Sequence, residues 1–303
     1  MKTTILQSHL LILLATVIIA GSFISSEYLT KVLNPFSLTL FRFVSSALIL
    51  LPIVLIKKRW RDKILITMPR ALVISLFFSL FFIFFFEALH TTTALNTGCL
   101  YTAIPLFTAF LAKIILKESL NFTTILIYLA GVFGSCWVIF DGDINLLLSF
   151  SLNGGDFIFL VASFFMCCYS IAMKALYKDD EMIVLVFCVL IGGSIWMSMG
   201  TVLMGLPLEW ELITGAGIYH MAYLSIACTL LTVYLYQKVV VILGPSKIMA
   251  YIYLNPALVA ILLYLINDLP IVPAVIPGII LTIIVTVILQ KTSKIQNYFA
   301  KKC

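Results

Sequence analysis

Charge is what this chain of 303 residues lacks: Asp, Glu, Lys and Arg make up 11% of it, against 63% hydrophobic residues. A soluble domain needs about a quarter of its residues charged to coat its core, so this composition excludes an ordinary soluble globule. Histidine is down to three residues. The seven cysteines are an odd number without CxxC or His-rich spacing, so neither a zinc site nor a disulfide framework is expected, and no metal is assigned. Cys99, Cys136, Cys167, Cys168, Cys188 and Cys228 lie in apolar runs, and the closing Lys-Lys-Cys is not a prenylation box. A glycine-rich phosphate loop, a G-x-S-x-G elbow and an H-E-x-x-H helix are all missing, which points away from an enzyme, a cofactor or an ATP-driven step. Long polar stretches are missing too, so no extramembrane domain is expected.

What fills the chain is apolar sequence in long runs. A bilayer core about 30 Å thick is crossed by roughly 20 residues at about 1.5 Å each. Runs of that kind fall at 9–30, 36–56, 70–89, 92–115, 122–140, 154–177, 182–203, 216–237, 246–266 and 271–290. The expected fold class is an all-α integral membrane protein with ten transmembrane helices. The first run lacks a small-residue cleavage site and a soluble body after it, so it reads as a retained span rather than a signal peptide. Pro35, Pro69, Pro207 and Pro270 stand at or near span ends, where proline is tolerated.

Basic residues set the orientation. With the N-terminus inside, the inner segments hold all but Lys31 and Arg42 of the 19 Lys and Arg. The cluster from Lys57 to Arg70 is the densest, and it reads as a juxtamembrane loop rather than a nucleic-acid patch. The outer segments carry Asp141, Asp143, Asp156, Glu209, Glu211 and Asp268 instead. Both termini are expected in the cytoplasm of a bacterial cell whose inner membrane holds the chain.

Ten spans divide into five and five, and an odd number per half turns the halves upside down relative to each other. The stretch HTTTALNTGCLYTAIPLFTAFLAKIILKESLN, with Pro105 in mid-span, is echoed by SKIMAYIYLNPALVAILLYLIND, with Pro256 in the same place. Each proline follows small and apolar residues and precedes an aliphatic stretch ending in acid, Glu118 or Asp268. Two inverted five-helix repeats, 9–140 and 154–290, are expected.

These stretches, together with AGSFISSEYLTKVLNPFSLTLFR and YLSIACTLLTVYLYQKVVVILGP, resemble the EamA-type members of the drug/metabolite transporter superfamily. The similarity runs over nearly the whole chain. It departs at Asn267 and Asp268, where the family usually closes with Gly-Glu, at Ala20, where a tryptophan is common, and at Glu27. The resemblance implies a ten-helix carrier that works by alternating access. Spans one, three, four, six, eight and nine would surround a central cavity, spans two and seven would flank it, and spans five and ten would lie outside.

A proline inside a helix loses the bond to the carbonyl four residues earlier, Tyr101 for Pro105 and Ile252 for Pro256. In a membrane that carbonyl must face a cavity or a neighbouring helix. The paired prolines therefore read either as static kinks or as gating points. Glu27, Arg42 and Glu87 are charges near the outer end, where each is costly in the bilayer and commonly functional. They read as an ion-pair gate, or as residues that pair locally with Lys31, snorkel or meet water. In the repeat, Glu87 corresponds to Lys238 at the opposite face. Candidate cavity residues are Asn96, Tyr101, Tyr169, Tyr223, Tyr234, Tyr251 and Asn255, whose amides and hydroxyls need partners when buried.

The expected function is secondary transport of small organic metabolites, amino acids or related compounds, most commonly export. The alternatives are uptake or exchange of a metabolite such as S-adenosylmethionine, and, from another class, a lipid-precursor translocase or a non-transporting scaffold. The partners are a small-molecule substrate and the lipid bilayer, with proton or ion coupling open and no nucleic acid; the oligomeric state is left open. A cysteine introduced at Asp62 should react with a membrane-impermeant maleimide only in opened cells. Labelling in intact cells would reverse the topology.

Overall fold

In hydrocarbon every backbone amide must be bonded within its own segment, so apolar runs of this length fold as helices. The computed structural model describes the backbone of residues 4–92, 94–268 and 270–300. Side chains in these ranges are described except those of Glu27, Ala94, Leu95, Asn267 and residues 292–300. Ten helices are long and apolar enough to span a membrane among the described residues: Ile5–Thr30, Pro35–Ile56, Ile64–Leu89, Asn96–Ile115, Phe122–Ile139, Gly154–Ala175, Met182–Leu203, Ala216–Leu243, Pro245–Ile266 and Pro273–Lys291. They are spans one to ten below. The end at which span one begins is called inner.

Side chains at the starts close the first orphan amides. Thr4 and Gln7 form a capping box on span one, and Asn153 and Asp156 form another on span six. Asn34 and Asn121 cap spans two and five. Two boundaries lie six residues from those expected. Span three begins at Ile64, so Pro69 falls inside the helix, not at its end. The Leu65 carbonyl that it deprives lies at the exposed inner end. Span eight continues past 237 to Leu243, because Lys238 does not end it: its ammonium lies over the Tyr234 ring, 5.7 Å from the centroid.

Packing follows the repeat. Span three packs on six and span eight on one; span seven packs on three and span two on eight; span four packs on six and span nine on one. Exchange of the halves turns the first member of each pair into the second. The remaining large contacts, five with ten, two with seven and four with nine, map onto themselves. The protein is two inverted repeats of five helices.

The two faces of the repeat are unequal in substance. Span three carries phenylalanines into span six: Phe78 stacks on Tyr169 at 4.4 Å, Phe84 on Phe165 at 5.4 Å, and Phe85 meets Phe159 edge-on at 5.6 Å. Spans one and eight meet through small and polar groups. Gly21 lets the Tyr223 ring come close, since a Cβ there would lie 2.5 Å from its hydroxyl. That hydroxyl donates to the Ile18 carbonyl at 3.0 Å.

At the inner end Arg70, in span three, makes a two-pronged pair with Asp180, in the loop after span six, at 2.8 Å for each contact, and also donates to the Leu176 carbonyl at 3.2 Å. Their side chains are 17% and 7% exposed. Arg70→Ala should cost about 2–3 kcal/mol, because it leaves a nearly buried carboxylate without its charge-assisted bonds. Arg70→Lys should recover only part of this, since an ammonium cannot reproduce the fork. Thermal unfolding of purified protein measures both; an unchanged midpoint in Arg70→Ala would contradict the assignment.

Candidate functional site

Pro105 and Pro256 do more than bend their spans. Span four is two helices, Ala94–Tyr101 and Ile104–Ile115, parted at Thr102 and Ala103. Pro105 is the second residue of the new helix, where its missing N–H would have no partner in any case. Span nine starts as a helix over Pro245–Met249, tightens to a 3-10 turn over Ala250–Leu254, and restarts at Asn255–Asn267 with Pro256 second. The Ile252 carbonyl, expected to be orphaned, accepts from the Asn255 amide, because the tighter turn shortens the bond by one residue. Span eight departs from the α form differently, with a π-helix over Tyr223–Leu231. Its wider turn is marked by Thr229, whose hydroxyl donates to the carbonyl of Leu224, five residues back, at 2.8 Å.

A polar centre lies beside the break in span four. The Cys167 thiol of span six donates to the Ile104 carbonyl at 3.6 Å. Tyr236 of span eight is close enough to Tyr101 and Tyr169 for their hydroxyls to interact electrostatically. The Tyr169 hydroxyl lies toward the amide of Gln237 without closing a well-formed hydrogen bond. Gln237 is 1% exposed, and neither end of its amide has a partner among the described residues. The buried Ser170 hydroxyl is likewise unpartnered among the described residues, and the Thr108 hydroxyl lies toward the Cys167 thiol.

Of the residues singled out in the sequence, Tyr101 and Tyr169 meet here. The others are dispersed. Tyr223 faces Ile18 of span one, and Tyr234 is half-buried under Lys238. The Tyr251 hydroxyl is 3.0 Å from Nδ1 of His9. Asn255 is buried with its Oδ1 unpartnered among the described residues. Arg42 donates from Nε to the Thr229 hydroxyl at 2.9 Å, against the π-helix. Glu87 is exposed in the last turn of span three. The side chain of Glu27 lies outside the described residues.

Asn96 joins a different arrangement at the outer end. Its amide donates to Asp156 at 2.8 Å and to the Ser151 carbonyl at 3.2 Å. The fully buried Asp156 carboxylate also accepts from the Thr92 hydroxyl and, at 2.8 Å, from the Asn153 amide. The start of span four is thereby fastened to the start of span six. At the inner end Ser246 donates to Glu118 at 2.6 Å, fastening the end of span four to span nine. Lys174 donates to the Val241 carbonyl across spans six and eight.

Sequence reasoning passed over Gln237 and Tyr236 because span eight was expected to end at 237. The helix runs six residues further, so Gln237 sits about 9 Å inside. The apolar run Val239–Leu243 after a single lysine was the available signal.

Two inverted repeats that meet at broken helices form the architecture of a membrane transporter. Residues 6–140 and 153–290 each match the EamA-like transporter family. The chain belongs to that family, within the drug/metabolite transporter superfamily. It is 27% identical over 280 residues to an uncharacterized transporter of Archaeoglobus fulgidus, covering 87% of this chain and 91% of that one. It is 26% identical over 178 residues to the uncharacterized transporter YyaM of Bacillus subtilis, covering 57% of this chain and 58% of that one. A solved crystal structure shares the fold with a TM-score of 0.71 at 15% identity, over 95% of this chain and 96% of that chain.

Asp156→Ala should destabilise the protein by about 2–3 kcal/mol, since three donors lose their acceptor. Asp156→Asn should cost under about 1 kcal/mol, because the Thr92 hydroxyl can turn to accept while the remaining oxygen keeps two donors. Thermal unfolding of both variants is the measurement. Equal loss in the two would make the charge, not the acceptor geometry, the important property.

Proposed function

We propose that the protein is a secondary transporter that moves small organic metabolites, amino acids or related compounds, outward across a bacterial inner membrane by alternating access, with both termini cytoplasmic. The observation that carries this reading is the pairing of breaks at Pro105 and Pro256 in symmetry-related spans, on either side of a polar interior. Helix interruptions at mid-membrane are where transporters place substrate and change curvature. In this reading Asn96, Tyr101, Tyr169, Tyr223, Tyr234, Tyr251 and Asn255 line the pathway as it opens at one face or the other. Glu27, Arg42 and Glu87 serve the outer gate. The ten-span family and the absence of an ATP-binding segment from the sequence support a gradient as the energy source.

The test is paired flux and affinity in vesicles, with a panel of labelled amino acids as substrates. Pro105→Ala and Pro256→Ala remove the ring that keeps the two pieces of each span from joining into one helix and should stiffen the spans, lowering transport rate by about tenfold with little change in affinity. Asn255→Leu should instead weaken binding by about tenfold, the loss of one polar contact. Wild-type flux in both proline variants would reduce the breaks to packing. If the wild-type protein moves none of the panel, the substrate class is wrong.

A further inference from the structure

Among the described residues, Gln237 is the side chain with two buried polar atoms and a well-formed hydrogen bond to neither. Both ends of its amide are sealed from the surface, and neither closes a well-formed hydrogen bond among the described residues, the Tyr169 hydroxyl lying toward it. An amide left so costs its desolvation, and a fold under no other demand replaces it with an apolar side chain of similar size. Near it stand the uncharged Tyr169 and Tyr236 and, beside Tyr236, Tyr101, from spans four, six and eight; Lys174 of span six is committed to the carbonyl of Val241, one helical turn along span eight. The adjacent Lys238 is turned away over the Tyr234 ring. Aromatic faces wall the group: Phe78 stacks on Tyr169 with the planes 17° apart, and Phe81 lies 6.3 Å from Tyr101.

We propose that Gln237 is the specificity-determining residue of the transport site, its amide reading a ligand edge that carries a donor beside an acceptor on a flat, uncharged body. The inference rests on the transport reading above. A primary amide offers one donor and one acceptor side by side, so it pairs two-pronged with a carboxamide or with the edge of a heteroaromatic ring. The uncharged surroundings favour a neutral partner at this point, and stacked rings favour a planar one. Residue by residue the site is closed in the observed conformation. The break at Thr102 and Ala103, bonded to span six through Cys167 and the Ile104 carbonyl, is the place where it opens.

Two arms test this, and the first needs no substrate. Gln237→Leu should raise the unfolding midpoint of the ligand-free protein by about 2–6 °C, since it removes an unsatisfied amide. A fall would mean that the amide is satisfied within the fold, by Tyr169 or a bound water, and would overturn the proposal. Should the leucine variant not fold, Gln237→Met, nearer in shape, carries the same reading. The second arm compares nicotinamide, which has the donor–acceptor pair on a flat ring, with methyl nicotinate, which keeps the ring and the carbonyl but lacks the donor. Nicotinamide should stabilise the wild type, and its protein-dependent uptake, above that of protein-free vesicles, should be at least tenfold faster than that of methyl nicotinate; Gln237→Leu should abolish that preference. Equal behaviour of the two compounds, or a preference that survives in Gln237→Leu, overturns the role of Gln237. If neither compound binds or moves while amino acids do, the planar class is overturned and the transport reading stands; if nothing moves, both fall.

Discussion

A backbone amide or carbonyl inside a bilayer has no water to fall back on, and every departure from the α-helix in this protein is shaped by that constraint. Among the described residues three such departures interrupt a span away from its ends: the gap in span four, the π-helix of span eight and the 3-10 turn of span nine. Each is covered by a polar side chain from another span. Cys167 donates to Ile104 beside the gap, Ser46 to Ser225 in the π-helix at 2.8 Å, and Ser135 to Tyr253 in the 3-10 turn at 3.3 Å. Serine and cysteine thus serve as replacement rungs in helices that are not their own. Their burial follows from that role: Ser46 and Ser135 are fully enclosed, and each would be a liability in a lipid-facing position.

The same constraint explains what the sequence discloses. Ten spans, their order and their inversion are legible because hydropathy and basic residues are properties of segments, and a segment long enough to cross has few alternatives. The paired prolines are legible as interruptions. Their form is not, because whether a proline kinks a helix or restarts it depends on the neighbour that takes the freed carbonyl. At Ile252 the Asn255 amide of the same chain takes it, and the turn tightens. The π-helix leaves no trace that hydropathy registers: YLSIACTLL is as apolar as an α-helical stretch, and its cause lies in Arg42, Ser46 and Ile18 on facing spans.

Polar residues were the least legible. The Asn96 amide is bonded to Asp156, whose place in an outer segment gave no hint that it would be enclosed. Tyr101 and Tyr169 share Tyr236 of span eight as a neighbour, which neither of their own spans discloses. Gln237 is hidden by its neighbour. A lysine signals the membrane edge, and only contact with Tyr234 lets the helix carry that lysine further in.

Spans three and six are fastened at the inner end through Arg70 and Asp180 and packed through stacked phenylalanines, and at the outer end Asp156 of span six holds Thr92 and Asn96 at the turn into span four. Their counterparts, spans eight and one, share a glycine notch, a bifurcated carbonyl at Ile18 and a π-helix. The two-fold relation is therefore architectural rather than mechanical. One seam is filled with stacked rings and the other with a notch and polar groups, so the inverted repeats share an outline and not a filling.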